Sequence, residues 1–363
     1  MTKMHRPTWA DIDLDALSDN YAALVDLSEG KTVIPVVKAD AYGHGAKEVV
    51  RHLYERHNVR LFAVSLIEEA LEIKAMGFDV DLLIMGAIKP SDLPVLSRHN
   101  LLFTLTNQNV FDAMTASSLP LRFHVKVDSG MHRLGFSDTD TINRVFKTAQ
   151  KNESLKLEGI FTHFATADSD EAYFYRQKAR FEEILNKLPY MPMSIHASNS
   201  SAVVKYQKSL PYTTHVRTGI SLYGYSLEGR LHYLKPVMTL KSEVMEIRTL
   251  EPGDYLGYDI AYQASEREKI AILPIGYADG WIRKNQGGVV RIHGKPYPIV
   301  GRVCMDMMFV KIDESVHRYD EVTLFGQKEI DANSVADRLD TISYEVLCMV
   351  GKRVPRNYKT LRT

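Results

Sequence analysis

The segment Val33-Ile34-Pro35-Val36-Val37-Lys38-Ala39-Asp40-Ala41-Tyr42-Gly43-His44-Gly45 is an apolar run that ends on a lysine and breaks into a loop. Its first five residues have the length of a short buried strand. A lysine inside such a strand is costly to bury, but at the C-terminal tip it can face a pocket. The glycines that follow let backbone approach a ligand closely. Desolvation in an apolar mouth lowers a lysine's pKa, and a neutral amine can form a Schiff base with an aldehyde. The plainer alternative is an exposed lysine that happens to follow a strand.

The same unit recurs along the chain. Upstream, Asp15 to Leu27 reads as an amphipathic helix, with Leu17, Tyr21, Leu24 and Leu27 near helical spacing and Gly30 as a stop. Strand-like runs begin near Thr32, Arg60, Asp81, Leu101, Arg122, Lys156, Met193 and His215, separated by about a strand plus a crossover helix. Ser65-Leu66-Ile67-Glu68 predicts a capped helix start closed by Gly77, and a longer helix is expected from Asp170 to Leu188. Eight such units suggest an α/β architecture, a TIM-like (β/α)8 barrel; a doubly wound open sheet is the alternative that counting leaves open. A barrel places functional groups at the C-terminal ends of its strands, with phosphate bound after strands seven and eight. Lys38, Asp128 to Arg133, His163, Ser198-Asn199-Ser200 and Arg217 to Ile220 all fall at such ends.

From about Leu231 the pattern changes to short apolar segments separated by glycine and proline, which predicts a mostly β-strand domain. Asp331 to Leu339 is expected to be its one short helix. The expected domains are residues 1–231 and 232–363, with the first few residues free to pack with the β domain.

Composition narrows the function. Among 363 residues, Lys+Arg and Asp+Glu both number 45, so a basic surface for nucleic acid or membrane is not expected. The two cysteines, Cys304 and Cys348, give neither a disulfide framework nor a metal cluster. The N-terminal stretch lacks a secretory pattern and no apolar run is long enough to span a bilayer, so a cytoplasmic protein is expected.

VVKADAYGHGA resembles the cofactor-lysine segment of the alanine racemase family, which uses pyridoxal 5'-phosphate. KVDSGMHRLGF from Lys126, THFATAD from Thr162, HASNSSA from His196, VRTGISLYG from Val216, IGYADG from Ile275 and VGRVCMDMM from Val300 resemble that family's signatures, in its order. The resemblance implies an isomerase that interconverts L- and D-alanine for peptidoglycan; a serine or broad-specificity racemase is the alternative. Lys38 would carry the cofactor and act as one base. Tyr42, Asn199, Ser200, Gly219, Ile220 and Tyr344 would hold the cofactor, although Asn and Ser at such positions are ordinary helix caps when read alone. Arg217 would face the ring nitrogen. An arginine only donates, so it favours an unprotonated ring nitrogen, a weaker electron sink suited to proton exchange. The plain alternative is a structural ion pair. His163 would orient Arg217 and His196 would support the same layer; both could equally be packing residues, and no carboxylate cluster accompanies them as metal ligands.

Racemisation needs a second base opposite Lys38. The family pattern aligns it with Tyr258, with Tyr262 a near competitor. A phenol is a weak base unless positive charge stands close, and Arg217 and His163 are the expected source. Asp259 departs from the family, where glycine commonly follows this tyrosine. Arg133 is expected to bind substrate and ring oxygen, with Lys126 as a carbamylated anchor by hypothesis. Met305, Asp306 and Tyr277 are expected at the substrate carboxylate, while Cys304 alone reads as a small buried hydrophobe. In that family these second-domain residues meet the lysine only across a head-to-tail interface, which implies a homodimer with shared sites.

Overall fold

The computed structural model describes residues 5–227, 231, 233–326 and 329–360. The expected boundary between residues 231 and 232 falls at their edge, residue 232 lying outside the described residues. After β1 (Thr8–Asp13) and the helix Leu14–Leu27 come eight parallel strands: β2 (Thr32–Pro35), β3 (Leu61–Val64), β4 (Asp81–Ile84), β5 (Leu102–Leu105), β6 (Leu121–Lys126), β7 (Leu155–Phe161), β8 (Ser194–His196) and β9 (His215–Thr218). Their order is β2-β9-β8-β7-β6-β5-β4-β3. A parallel bridge from Val36 to Ala63, with Val37 N–H donating to Ala63 O at 2.8 Å, joins the ends and closes the barrel. This excludes an open doubly wound sheet. The eight strands begin within a residue or so of the positions expected from the apolar runs, because strands covered on both faces must be nearly continuous in apolar residues.

The second sheet comprises β10 (Met238–Glu243), β11 (Glu246–Leu250), β12 (Glu268–Leu273), β13 (Val289–Ile292), β14 (Lys295–Val300), β15 (Met308–Ile312), β16 (Glu321–Phe325) and β17 (Arg356–Lys359), together with β1. β1 lies between β10, antiparallel, and β17, parallel.

Three local expectations are corrected. The helix after β3 spans Ile67–Lys74, and its first turn is capped by Glu69, not Glu68. The Glu69 carboxylate accepts from Ser65 N at 2.8 Å and Leu66 N at 3.0 Å, so the register of the cap is one residue later than the S-x-x-E reading. Among its described residues the β domain has two α-helices rather than one, Ala332–Leu339 and Ser343–Met349. Asp331 caps the first through its side chain, whereas the second starts after Ile342 with no side-chain cap, so it carries no start signal in the sequence. The helix expected to reach Leu188 spans Glu171–Leu185, with Asp170 as its N-cap.

β6 shows how the barrel interior is layered. Alternation puts Arg122, His124 and Lys126 on one face of the strand. Arg122 pairs with Asp81 and Glu158, each at 2.6 Å. One step along, His124 Nδ1 meets His196 Nε2 at 2.8 Å. Lys126, at the C-terminal end, lines the cavity described next.

Candidate active site

A cavity of about 460 Å³ opens at the C-terminal end of the barrel, lined by Lys38, Tyr42, Lys126, Arg133, His163, Asn199, Ser200, Arg217, Gly219 and Tyr344 among others. Ten of the residues singled out from sequence therefore share one space. Ile220, fully buried, starts the turn that follows Gly219.

Lys38 follows the end of β2, and the backbone after it is unusual. Ala39, Asp40, Ala41 and Tyr42 all take left-handed conformations, with φ of 51°, 53°, 54° and 54°. Each such residue costs roughly 1–2 kcal/mol unless its surroundings hold it. Here they do. Ala41 N donates to Val37 O at 2.9 Å and Gly43 N to Ala39 O at 3.0 Å. The buried His44 donates from Nδ1 to Ala41 O at 2.9 Å, and its ring stacks on Tyr223 at 4.5 Å. Arg356 Nε donates to Gly43 O at 2.9 Å. This turn swings Tyr42 back over the cavity, where its ring lies 4.9 Å from Tyr223 and 5.8 Å from Tyr344. A Cβ on Gly219 would stand 2.4 Å from the Tyr42 hydroxyl, so this contact requires glycine.

Ser200 accepts from Gly219 N at 3.0 Å and keeps its own hydroxyl hydrogen to donate into the cavity. Asn199 performs the capping that its residue type suggests, its carboxamide oxygen accepting from Ala202 N at 3.0 Å. The Tyr42 and Ser200 hydroxyls thus share one wall with the Gly219 backbone, and hydroxyl donors so placed suit an anion.

Arg217 is buried at 3 % exposure. Its Nη1 donates to His196 Nδ1 at 2.6 Å, and Nη2 to Thr162 O at 2.9 Å and Ala197 O at 3.2 Å. The contact with His163 Nδ1 is longer, 3.4 Å, so His196 is the main orienting partner and His163 the lesser, the reverse of the sequence reading. Arginine can only donate, so His196 Nδ1 accepts and its proton sits on Nε2. That proton is donated in turn to His124 Nδ1. Burial, and next Arg217, push His196 well below the ordinary histidine range, so the relay holds neutral imidazoles. Burial and Arg133 bring Arg217 down to about 9, which leaves it charged at neutral pH. The sequence reading gave His124 no role; the alternation Arg122-His124-Lys126 within RFHVK was the available signal.

Burial lowers Lys38, with Arg133 acting in the same direction and Cys348 and Glu69 opposing. Lys126 is pushed well down by burial, then by Arg217 and Arg133, and its Nζ lies 4.4 Å from the Phe161 ring centre. Burial and the arginines push this amine toward its neutral form, the form that reacts with carbon dioxide.

Tyr258, Tyr277, Met305 and Asp306 do not line this cavity. They lie in the β-sheet domain, with Tyr258 68 %, Tyr277 41 % and Met305 52 % exposed. Tyr277 N donates to Cys304 O at 3.0 Å, which ties the Tyr277 turn to the Met305 loop, and Asp306 pairs with Arg353 at 2.7 Å. Asp259 has φ 61°, a conformation glycine takes most easily and Asp tolerates. Its carboxylate turns to Arg283 at 3.2 Å and Arg302 at 3.5 Å. Tyr262 bonds Glu268 and is turned into the sheet, unlike Tyr258. Cys304 is half-buried, with Sγ 3.5 Å from Arg302 O. Among the described residues no group of three His, Cys, Asp or Glu is placed to hold a metal ion.

Known proteins match the chain over both of these regions. The family model "Alanine racemase, N-terminal domain" matches residues 12–227, and "Alanine racemase, C-terminal domain" matches residues 237–358. An alanine racemase of Listeria monocytogenes serotype 4b is 40% identical, over 99% of both chains. One of Geobacillus kaustophilus is 38% identical, over 98% of this chain and 95% of the relative. The crystal structure of alanine racemase from E. faecalis superposes with a TM-score of 0.92 at 36% identity, covering 98% of this chain and 99% of that one. That of Bacillus anthracis alanine racemase with bound L-Ala-P gives 0.91 at 32% identity, covering 99% and 97%. In fold, in length and in sequence from end to end, the chain belongs to the alanine racemase family.

Proposed function

We propose that the protein interconverts L-alanine and D-alanine by two-base proton exchange at the α-carbon, with pyridoxal 5'-phosphate held in the barrel cavity. The cavity supports this assignment because one wall offers a desolvated lysine, another the hydroxyls of Tyr42 and Ser200, and a buried arginine stands among them. Its chemistry fits an aldehyde, a phosphate and a ring nitrogen. The cradle is closed by Tyr42 over Gly219 at a distance that leaves no space for a Cβ.

When bound, the cofactor supplies an electron sink for the pair left as the α-proton departs. The other roles belong to the chain. Tyr42, Ser200, Gly219, Ile220 and Tyr344 would hold the phosphate, with Asn199 shaping that wall. Arg217 would donate to the ring nitrogen, fixed in place by its neutral His196 partner and by two carbonyls. Lys38, already inclined to the neutral amine, would take or return the proton on one face. Tyr258 would serve the other face, with Tyr277, Met305 and Asp306 near the substrate carboxylate. Arg133 would contact substrate and ring oxygen, anchored by Lys126 as a carbamate.

Lys38 and Tyr258 lie in different groups within one chain, so the proposal requires a homodimer whose second copy brings Tyr258 to this cavity. The exposed Tyr258, Tyr277 and Met305 are the apolar surface such an interface would cover. No helix of the described residues is long and apolar enough to cross a membrane. A cytoplasmic enzyme that supplies D-alanine to peptidoglycan is the cellular reading.

The test is exchange in deuterated water. With added pyridoxal 5'-phosphate, L-alanine should yield D-alanine carrying α-deuterium. Exchange without inversion would refute the two-base assignment, and absence of both with cofactor bound would refute alanine as substrate. An intact mass and density without extra atoms on Lys126 would remove the carbamate.

A further inference from the structure

Lys38 is fixed by its neighbours on both sides, and both anchors come from the same unit of the barrel. On one side, Val37 N donates to Ala63 O of β3 at 2.8 Å. On the other, Ala39 N donates to Glu69 Oε1 at 2.6 Å. Glu69 sits in the first turn of the helix Ile67–Lys74, which follows β3 directly. Its other oxygen, Oε2, accepts from Ser65 N and Leu66 N. One carboxylate thus caps a helix and holds the first amide of the left-handed turn. Ala39 opens that turn at φ 51° and ψ 50°. A strained backbone persists only where its surroundings over-determine it. Without Glu69, the Ala39 amide loses this partner, and the residue next to Lys38 can relax toward right-handed backbone and carry the lysine with it.

We infer that Glu69 is a positioning residue for the reaction: through Ala39 N it sets where the Lys38 amine stands in the cavity. The inference rests on Lys38 being the reacting lysine. The charge of Glu69 acts in the same place. Of the groups that face Lys38, Arg133 disfavours the ammonium, as does burial, while Glu69 and Cys348 favour it; His163 in turn feels Lys38.

Glu69→Ala removes the helix cap and the Ala39 contact together, so alone it cannot separate stability from positioning. Leu66 makes the separation possible. It is exposed, stands at the N-cap position and has extended backbone, φ −119° and ψ 154°, the geometry a capping serine adopts. In Leu66→Ser/Glu69→Ala, the introduced serine hydroxyl can compensate by accepting from a first-turn amide, a different bond from those Glu69 made to Ser65 N and Leu66 N, but it cannot reach round to supply the Ala39 contact. The expected result is that Glu69→Ala lowers both Tm and kcat, and that the double variant recovers Tm while kcat stays on the order of 10- to 100-fold low. KM should change less than kcat, because the substrate-binding residues are untouched.

A second readout uses cofactor-free protein. The rate at which Lys38 is acetylated, followed by peptide mass across pH, reports its protonation and exposure without turnover. With the carboxylate gone, the midpoint should move to lower pH in both variants, because Glu69 favours the ammonium. Recovery of kcat together with Tm in the double variant would overturn the inference, as would an unchanged Lys38 acetylation curve. Failure of the wild-type protein to hold cofactor on Lys38 after borohydride reduction would instead count against the proposed function, while the acetylation curve still decides whether Glu69 positions the lysine.

Discussion

Gly219→Ala tests the geometry of the cradle most directly. At φ −108° and ψ −97° the residue stands outside the main regions open to L-residues, so the contact is isolated by comparing single and double variants rather than by the single change. The new Cβ would stand 2.4 Å from the Tyr42 hydroxyl oxygen and 3.2 Å from the carbon bearing it. Relief to ordinary van der Waals separation demands a shift of about 1 Å. The tyrosine cannot take that up freely. Its ring is buried, stands 4.9 Å from Tyr223 and 5.8 Å from Tyr344, and its backbone belongs to the left-handed turn. Overpacking of this kind costs about 1–3 kcal/mol. Tyr42→Phe removes the offending oxygen and leaves only the tight but tolerable carbon contact. The double variant Gly219→Ala/Tyr42→Phe should therefore be more stable than the sum of the single changes by about 1–2 kcal/mol, a coupling of favourable sign. The assay is denaturant unfolding of all four proteins without cofactor, followed by titration with pyridoxal 5'-phosphate. Gly219→Ala should weaken cofactor binding most, and the double variant should regain part of it. Additive stabilities would refute the argument, because they would mean that Tyr42 does not occupy the space above Gly219.

Three further outcomes are expected. His44 and His124 are pushed down by burial to about 4 and about 3, so the folded protein binds fewer protons than the unfolded chain once pH drops below the ordinary histidine value near 6.5. Stability from these groups is intact above that value and declines by about 2.7 kcal/mol per pH unit down to about pH 4, where His44 ceases to contribute; a flat urea midpoint between pH 6.5 and 4 would contradict this. Asp259→Gly should leave stability within about 0.5 kcal/mol of wild type, since relief of the left-handed backbone offsets two exposed ion pairs worth little each, and thermal unfolding will show it. Lys38→Ala and Tyr258→Phe should each be inactive as homodimers, yet mixed by unfolding and refolding they should regain about a quarter of wild-type activity. Half of randomly paired dimers are mixed, and each mixed dimer has one intact site of two; no recovery would mean that both residues act within one chain.

Much of the barrel was legible because its physics is local. Most strands of the parallel sheet are short apolar runs because they are covered on both faces, and the functional groups had to follow those runs. That is why Lys38, His163, Ser200 and Arg217 could be placed on one rim without contact information. The helix Ser343–Met349 was not legible: it begins without a capping side chain, and it carries Tyr344 back to the barrel cavity from a remote part of the chain. Pairings across strands were equally hidden. Nothing in the spacing of His163, His196 and Arg217 says which imidazole lies 2.6 Å from the guanidinium and which 3.4 Å.

The division between what was legible and what was not follows the reach of each interaction. Arg122, His124 and Lys126 share one face of β6, but their partners come from other strands: Asp81 and Glu158 for the first, His196 for the second. A polar column through a barrel is tolerated only if each layer is satisfied. The charged layer at one end can ionise because two carboxylates meet Arg122. The middle layer must stay neutral, because burial and then Arg217 oppose charge on His196, and on His124 burial, His215 and Arg217 outweigh Asp81. Hence the histidines, which can pass a hydrogen bond along without carrying charge. The same requirement bears on Lys126: at the cavity end burial, the buried Arg217 and the exposed Arg133 disfavour its ammonium and outweigh Asp128. Neutral amine or carbamate are the two states that satisfy the layer, and only the carbamate would pair with Arg133.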